Sequence, residues 1–507
     1  SIWYGIYNTG SASNLNMNNN IFTNNSTRRT TGTNYLIYNT GAVTGTINIT
    51  NNSLSQNYNL LTAQGGISYY IRNSGGTLTA TANLNNNTFS GINFTTLSTT
   101  TLYYMYNSVG VANLNINSNS WNNITSNASG VIYLIYNLSS TQVALNANGN
   151  QITTGYSRGA AAAGSFYCYY AGSSSLGSST QTISNNNFSN ITATTAGTGI
   201  FYGIYNSDGS ASPYPRKNIF NNTISNISYP STGTWYGIFG GYLGDGGTST
   251  GSQIYNNTVS NITTTSAQYA LYTSSLASPN QPVKIYGNTI QNLTSNGLTS
   301  SVMGYYAFAS TTSPYYEFYN NKIANLNSNG TTGKVYGIYA LSAANYRIHN
   351  NYIGDLTASG ALTTTMPIPA LIGVFLSSSS NVKLYNNTIY LNATSTGANF
   401  STTGIYSTQS GVGVTDAKNN IIHNTSVATG AGLTIGVQLN SLTGTIYSPN
   451  SNNNNWYLGT VGTSNVTYYN GTLTGSTVAN MTAITGSDQS SISTAPTYTS
   501  TLYTNSG

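Results

Sequence analysis

Apolar residues return along this chain on two nested rhythms. The short one is alternation: in QIYNNTVSNI, residues 253–262, Ile254, Val259 and Ile262 are apolar with polar residues between them. Period-two patterning in β-branched and aromatic residues, punctuated by Asn and Gly, predicts strands. Runs of helix formers and capped 3.6-residue patterns are nearly absent.

The long rhythm is a repeat of about 33 residues, read from an Asn with an apolar residue three before and two after it. That Asn is Asn20, Asn52, Asn87, Asn119, Asn150, Asn186, Asn222, Asn257, Asn288, Asn321, Asn351, Asn387, Asn420 and Asn454. The position two later runs Phe22, Leu54, Phe89, Trp121, Ile152 and on to Ile422 and Trp456. A second segment, WYGIYN at 3–8 and FYGIYN at 201–206, carries its own column: Ile6, Ile37, Ile71, Met105, Ile135, Cys168, Ile204, Ile238, Leu271, Ala307 and Ile338. Two independent columns with one period predict an all-β, right-handed parallel β-helix of about fourteen coils, three short strands to a coil. At the ~4.8 Å strand spacing the rod is roughly 60 Å long. The helix is expected over 1–457, with an irregular closing segment over 458–507.

Stacked coils put like above like. The Asn column predicts a ladder of side-chain amides bonded coil to coil, and Asn also suits the left-handed corners between strands. Burial of the aliphatic columns, at roughly 1.5–3 kcal/mol per side chain, should carry the stability, and the ladder should fix the register. Tyrosines form two columns. By alternation the first, from Tyr4 and Tyr35 to Tyr305 and Tyr336, shares the inward face with the Ile column. The second is expected to face outward: Tyr7, Tyr38, Tyr106, Tyr136, Tyr169, Tyr205, Phe239, Tyr272, Phe308 and Tyr339, continued by Phe375 and Tyr406 and broken by Arg72 and Gln438. That stripe is a structural ladder or, on a sharper reading, a docking surface for glycan or protein.

Composition narrows the functions. Charged residues are 4% of the 507, and the net charge is +6. No basic cluster exceeds the pairs Arg28-Arg29 and Arg216-Lys217, which does not fit the phosphate-tracking stripe of a nucleic-acid binder. No apolar run approaches the ~20 residues that span a bilayer. Ser1 opens inside a repeat, so an upstream coil or a second molecule is expected to stack there. In successive coils one position reads Gln253, Lys284, Glu317, Arg347, Lys383 and Asp416, which predicts weak surface ion pairs. Asp355 stands in for Asn in the column of Asn190, Asn226, Asn261, Asn292 and Asn325.

A catalytic reading has little to work with. Glycoside hydrolysis needs paired carboxylates, and calcium-dependent elimination needs clustered oxygen ligands. Only Asp208 and Asp245, in the neighbouring loops SDGS and GDGG, make a candidate pair. His349 and His423 lie in different registers, and Cys168 is expected to be a buried, inert thiol. No metal and no cofactor is expected. The sequons at Asn123, Asn190, Asn226, Asn261 and Asn292 follow from composition.

The alternation N-T-I-x-N followed by Y-G-I-Y resembles the repeat of the pectate-lyase-like β-helix superfamily. KNNIIHNTS at 418–426, SNNNNWYLGTVGTSNVTYYNGT at 451–472 and SDQSSISTAPTY at 487–498 are similar to the closing segment of large surface proteins exported by the type IX route, some of them adhesins. The resemblance implies an extracellular, cell-surface segment of a longer polypeptide, structural or adhesive and not catalytic. Its partners would be copies of itself or surface glycans. The alternative reading is a polysaccharide-binding or polysaccharide-degrading enzyme.

Overall fold

Each repeat lays down three strands and closes a turn. Phe201–Asn206, Arg216–Phe220 and Thr223–Tyr229 make one turn, and Trp235–Gly241 opens the next directly above the first. The computed structural model describes residues 2–25, 31–58, 65–159, 163–172, 175–209, 214–275, 280–309, 315–341, 344–361, 369–377, 381–409, 413–440 and 446–497. Ser1, the Arg28-Arg29 pair and residues 498–507 of the closing segment lie outside them.

The strands stack into three sheets of 16, 17 and 13 members. Every described strand pairing is parallel except the last, where Asn465–Tyr469 meets Thr474–Gly475. The result is a parallel β-solenoid of about 12 turns, close to the number the columns predict. Like sits over like: Tyr202 pairs with Tyr236, Ile204 with Ile238, Ile219 with Ile254 and Ile224 with Val259. The aliphatic columns fill the interior, with Trp121, Trp235 and Trp456 fully buried among them.

The first sheet departs from strict alternation. Along Phe201–Asn206 the first, third, fourth and sixth residues are buried, so Gly203 and Ile204 both point inward. This local break puts Tyr202 and Tyr205, three residues apart, on the same outer face. Apart from Tyr305, which lies in the main core, the first tyrosine column is therefore on the outer face, a correction to the alternation argument. Met303, Tyr336, Ile372 and Tyr406 form a hydrophobic cluster separate from the main core, with Tyr269, Tyr306, Tyr339 and Phe375 packed on it. The glycine is a consequence of the break. A Cβ at Gly203 would lie 2.5 Å from Ile224 Cδ1 and 2.6 Å from the carbonyl oxygen of Gly237.

At the far end the chain folds over its last turn. Val478–Thr485, the one helix among the described residues, is capped by Thr477 in a capping box with Asn480 and buries Met481 against the core. On the first turn Ile2, Trp3 and Tyr7 are exposed.

Candidate functional site

The Asn ladder runs unbroken from Asn20 to Asn454. Asn222 shows the unit. Its Nδ2 donates to Asn257 Oδ1 at 2.9 Å and to the Ile183 carbonyl at 2.9 Å. Its Oδ1 accepts Asn186 Nδ2 at 2.8 Å and the Asn186 backbone N–H at 3.1 Å. Both donor hydrogens and both lone-pair positions are used, which is what a fully buried amide requires. The same bond joins Asn20, Asn52, Asn87, Asn119, Asn150, Asn186, Asn222, Asn257, Asn288, Asn321, Asn351, Asn387, Asn420 and Asn454.

The ladder Asn does not make the corner as well. The residue before it does: Asn19, Asn51, Asn86, Asn185, Asn221, Asn256, Asn320, Asn350, Asn386, Asn419 and Asn453 all have φ near +55°, and Ser118, Gly149 and Gly287 take the same place. The recurrent Asn-Asn pair divides two jobs, a left-handed turn and a hydrogen-bonded rung.

Every rung donates toward the C-terminal end, so the last needs an acceptor. Asn454 Nδ2 donates to Asp488 Oδ1 at 2.8 Å. Trp456 Nε1 and Ser491 Oγ donate to the same oxygen, and the Tyr447 hydroxyl donates to Oδ2. A carboxylate accepts only, which suits it to this terminus. Sequence reasoning missed this role, and also missed a shorter buried ladder through Asn8, Asn39, Asn73, Asn107 and Asn137. Its signal was the Asn that closes WYGIYN and NYLIYN.

The outer face of the first sheet carries the two tyrosine columns side by side. In the first, Tyr4, Tyr35, Tyr69, Tyr103, Tyr133, Tyr167, Tyr202, Tyr236 and Tyr269 stack with centroids 4.7–5.2 Å apart. In the second, Tyr106, Tyr136, Tyr170, Tyr205, Phe239, Tyr272, Tyr306, Tyr339, Phe375 and Tyr406 follow at 4.6–5.0 Å. Two members of the expected stripe are corrected. Tyr169 is buried in the Ile column, in register with Ile135 and Ile204, and Tyr170 takes the outer place. Cys168, buried one position earlier, therefore leaves the Ile column. Phe308 pairs with Ser274 and Leu341, and Tyr306 stands between Tyr272 and Tyr339. There Tyr305 fills the Ile column in place of Ala307, and Met303 fills the first tyrosine column.

Arg72 replaces one ring, its guanidinium 4.9 Å from the Tyr38 centroid and 5.0 Å from that of Tyr106. Rings of the two columns stack face to face at Tyr4 and Tyr7 and at Tyr35 and Tyr38, and from Tyr103 and Tyr106 to Tyr269 and Tyr272 they meet edge to face, the first pair with planes 87° apart. Neighbouring turns cover the ring faces, so the surface offers edges and hydroxyls. Burial, then neighbouring phenols, push the hydroxyls of Tyr133, Tyr202 and Tyr236 above the ordinary tyrosine range.

The candidate carboxylates are committed elsewhere. Asp208, fully buried, accepts the Ser175 backbone N–H at 3.0 Å and Gln181 Nε2 at 2.6 Å. Asp245 accepts the backbone N–H groups of Gly247 and Asn280, each at 2.9 Å. Both serve as loop staples. Two buried cations rest on carbonyl oxygens. Arg158 bonds the carbonyls of Ala128, Gly130 and Gly164 and the Tyr229 hydroxyl. Lys217 Nζ bonds those of Asn206, Asp208 and Gly241. Burial pushes the Lys217 ammonium down to about 7, against the opposing pull of Asp208.

Ion pairs and both histidines lie on the partly exposed outer faces. Arg347 pairs with Glu317 at 3.0 Å, while Asp416 pairs with Lys418 at 3.3 Å and not with Lys383. His349 stacks on Tyr319, and His423 sits between Tyr390 and Tyr457. Among the described residues no three of His, Cys, Asp and Glu gather to hold a metal. The sequon residues Asn123, Asn190, Asn226, Asn261 and Asn292 form one outer column with φ of 51–61°. Each is a left-handed corner followed by a core residue and an outward hydroxyl, so the sequon pattern has a structural origin. Asp355 shares that conformation at φ 53°. Comparison with family models, curated proteins and solved structures finds no match to this chain.

Proposed function

We propose that this chain is a structural or adhesive segment of an extracellular, cell-surface or fibre-forming protein, and that it is not a catalyst. One observation carries the reading: the candidate carboxylates and the buried cations are consumed by the scaffold. Asp208, Asp245 and Asp488 staple loops or end a ladder, and Arg158 and Lys217 tie carbonyls together. What remains outside is a long, nearly uncharged surface of repeated phenol edges, hydroxyls and amides. Such a surface suits repeated weak contact with a glycan or with another copy. The likeness of the repeat to the pectate-lyase-like superfamily, and of the closing segment to type IX surface proteins, belongs to this proposal. So do export and adhesion.

A glycan array, electron microscopy of the purified chain and a reducing-sugar assay test it together. The expected result is glycan retention or ordered assembly without turnover. Sugar release that disappears in Asp245→Asn would establish the enzyme reading instead.

A further inference from the structure

We infer that the outer tyrosine column is a site of oxidative cross-linking, where phenols on successive turns join ring to ring under a peroxide-driven one-electron oxidant. The inference goes beyond the surface role proposed above and does not depend on it. Tyr106, Tyr136, Tyr170 and Tyr205 stand on four consecutive turns, all partly exposed. Their centroids are 4.7–5.0 Å apart and neighbouring planes lie within 21° of each other. Parallel strands in register hold the backbones about 4.8 Å apart, so the travel left to a new bond is rotation of two rings. Phenols free in solution meet only by collision; here the encounter is built into the fold.

The chemistry closes without a group from the protein. Each of two phenols gives one electron to the oxidant and one proton to water. The two radicals, spread onto the carbons ortho to oxygen, pair their electrons in a carbon–carbon bond. Each ring is then a dienone, and each bonded carbon passes its proton through water to that ring's carbonyl oxygen, restoring both aromatic phenols. One peroxide takes up the two electrons and two protons and leaves as two waters. The linked pair is lighter by two hydrogen atoms.

Arg72 sets a boundary. Its guanidinium lies over both Tyr38 and Tyr106 and has no ring to couple. Tyr7 and Tyr38, with centroids 5.1 Å apart, are thereby separated from the run that begins at Tyr106.

The test treats the dilute chain with a haem peroxidase and hydrogen peroxide, isolates the monomer, and maps dityrosine by fluorescence and peptide mass spectrometry. The expected links join Tyr7 and Tyr38 to each other or to the rings stacked on them at 4.3 and 4.4 Å, Tyr4 and Tyr35, and join neighbours among Tyr106, Tyr136, Tyr170 and Tyr205, with none from Tyr38 to Tyr106. Tyr170→Phe, which keeps the ring in the stack, should abolish both links through that position and spare those of Tyr7 and Tyr38. Arg72→Tyr should add a link between position 72 and Tyr38. A monomer free of dityrosine at doses that oxidise its methionines would overturn the inference. So would links between rings on distant turns, or the same link pattern from chain unfolded in denaturant.

Discussion

A single rung shows how polar residues hold this fold. Removing the Asn257 side chain takes an acceptor from the backbone N–H of Asn222 and a donor from the Ile219 carbonyl, and it takes one of two bonds each from Asn222 Nδ2 and Asn288 Oδ1, which keep the Ile183 carbonyl and the Asn257 backbone N–H. Each buried group left without a partner costs about 1–3 kcal/mol, while the extra apolar surface of a leucine returns less than their sum. Asn257→Leu should therefore lose roughly 3 kcal/mol or more in denaturant unfolding, and a stabilised variant would refute the ladder's role. Titration gives a second test. Folding lowers the Lys217 value from 10.5 to about 7, so burying the cation weighs on the fold at low pH and the load lifts as pH climbs from about 7 to 10.5. Folding raises phenols such as Tyr69 and Tyr236 above 10.0, so their contribution is complete below pH 10 and is lost as pH rises beyond it. Denaturation midpoints should rise from pH 7 toward 10 and fall above it. Lys217→Met should flatten the rise and leave the fall.

At the scale of the strand, the first sheet depends on its glycines. A Cβ at Gly337 would lie 2.5 Å from Ile353 Cγ2 and 2.6 Å from the Gly373 carbonyl oxygen. A branched side chain there overpacks against backbone that cannot yield. Gly337→Val should cost about 1–3 kcal/mol by calorimetry, and Ile353→Ala in the same chain should recover part of it by making room. A neutral Gly337→Val would mean that the two inward neighbours do not meet the facing sheet as described. This strand also marks where the sequence stops being legible. Period, register and ladder could be read because equivalent residues repeat in identity. The doubled inward step at Gly203 and Ile204 could not, because a glycine between two apolar positions looks the same on either face. The frame was lost in two coils for a related reason. FYCYY and GYYAFA each offer an aromatic residue at adjacent or alternate positions, and only packing chose Tyr169 and Tyr305 for the interior. The committed carboxylates were invisible because their partners, Ser175, Gln181 and Asn280, come from other turns or loops.

Across the whole molecule, stability in a solenoid is a sum of neighbour terms, so the ends matter more than their size suggests. The C-terminal end is finished by Asp488 and the helix Val478–Thr485. Asp488→Asn keeps the shape but replaces an oxygen that accepts from Asn454, Trp456 and Ser491, or the one that accepts from Tyr447, with a donor. It should cost about 1–3 kcal/mol and raise amide exchange in the last turns before the middle ones. Uniform exchange along the rod would show that the terminus does not hold the stack. The rungs it terminates all face one way, and that gives the rod an arrow. Fourteen aligned amide dipoles add along the axis, so the two ends of an otherwise repetitive molecule differ electrically. Copies laid side by side would then have a preferred relative sense, and any sheet or bundle built from them would be antiparallel by attraction or polar by imposed order.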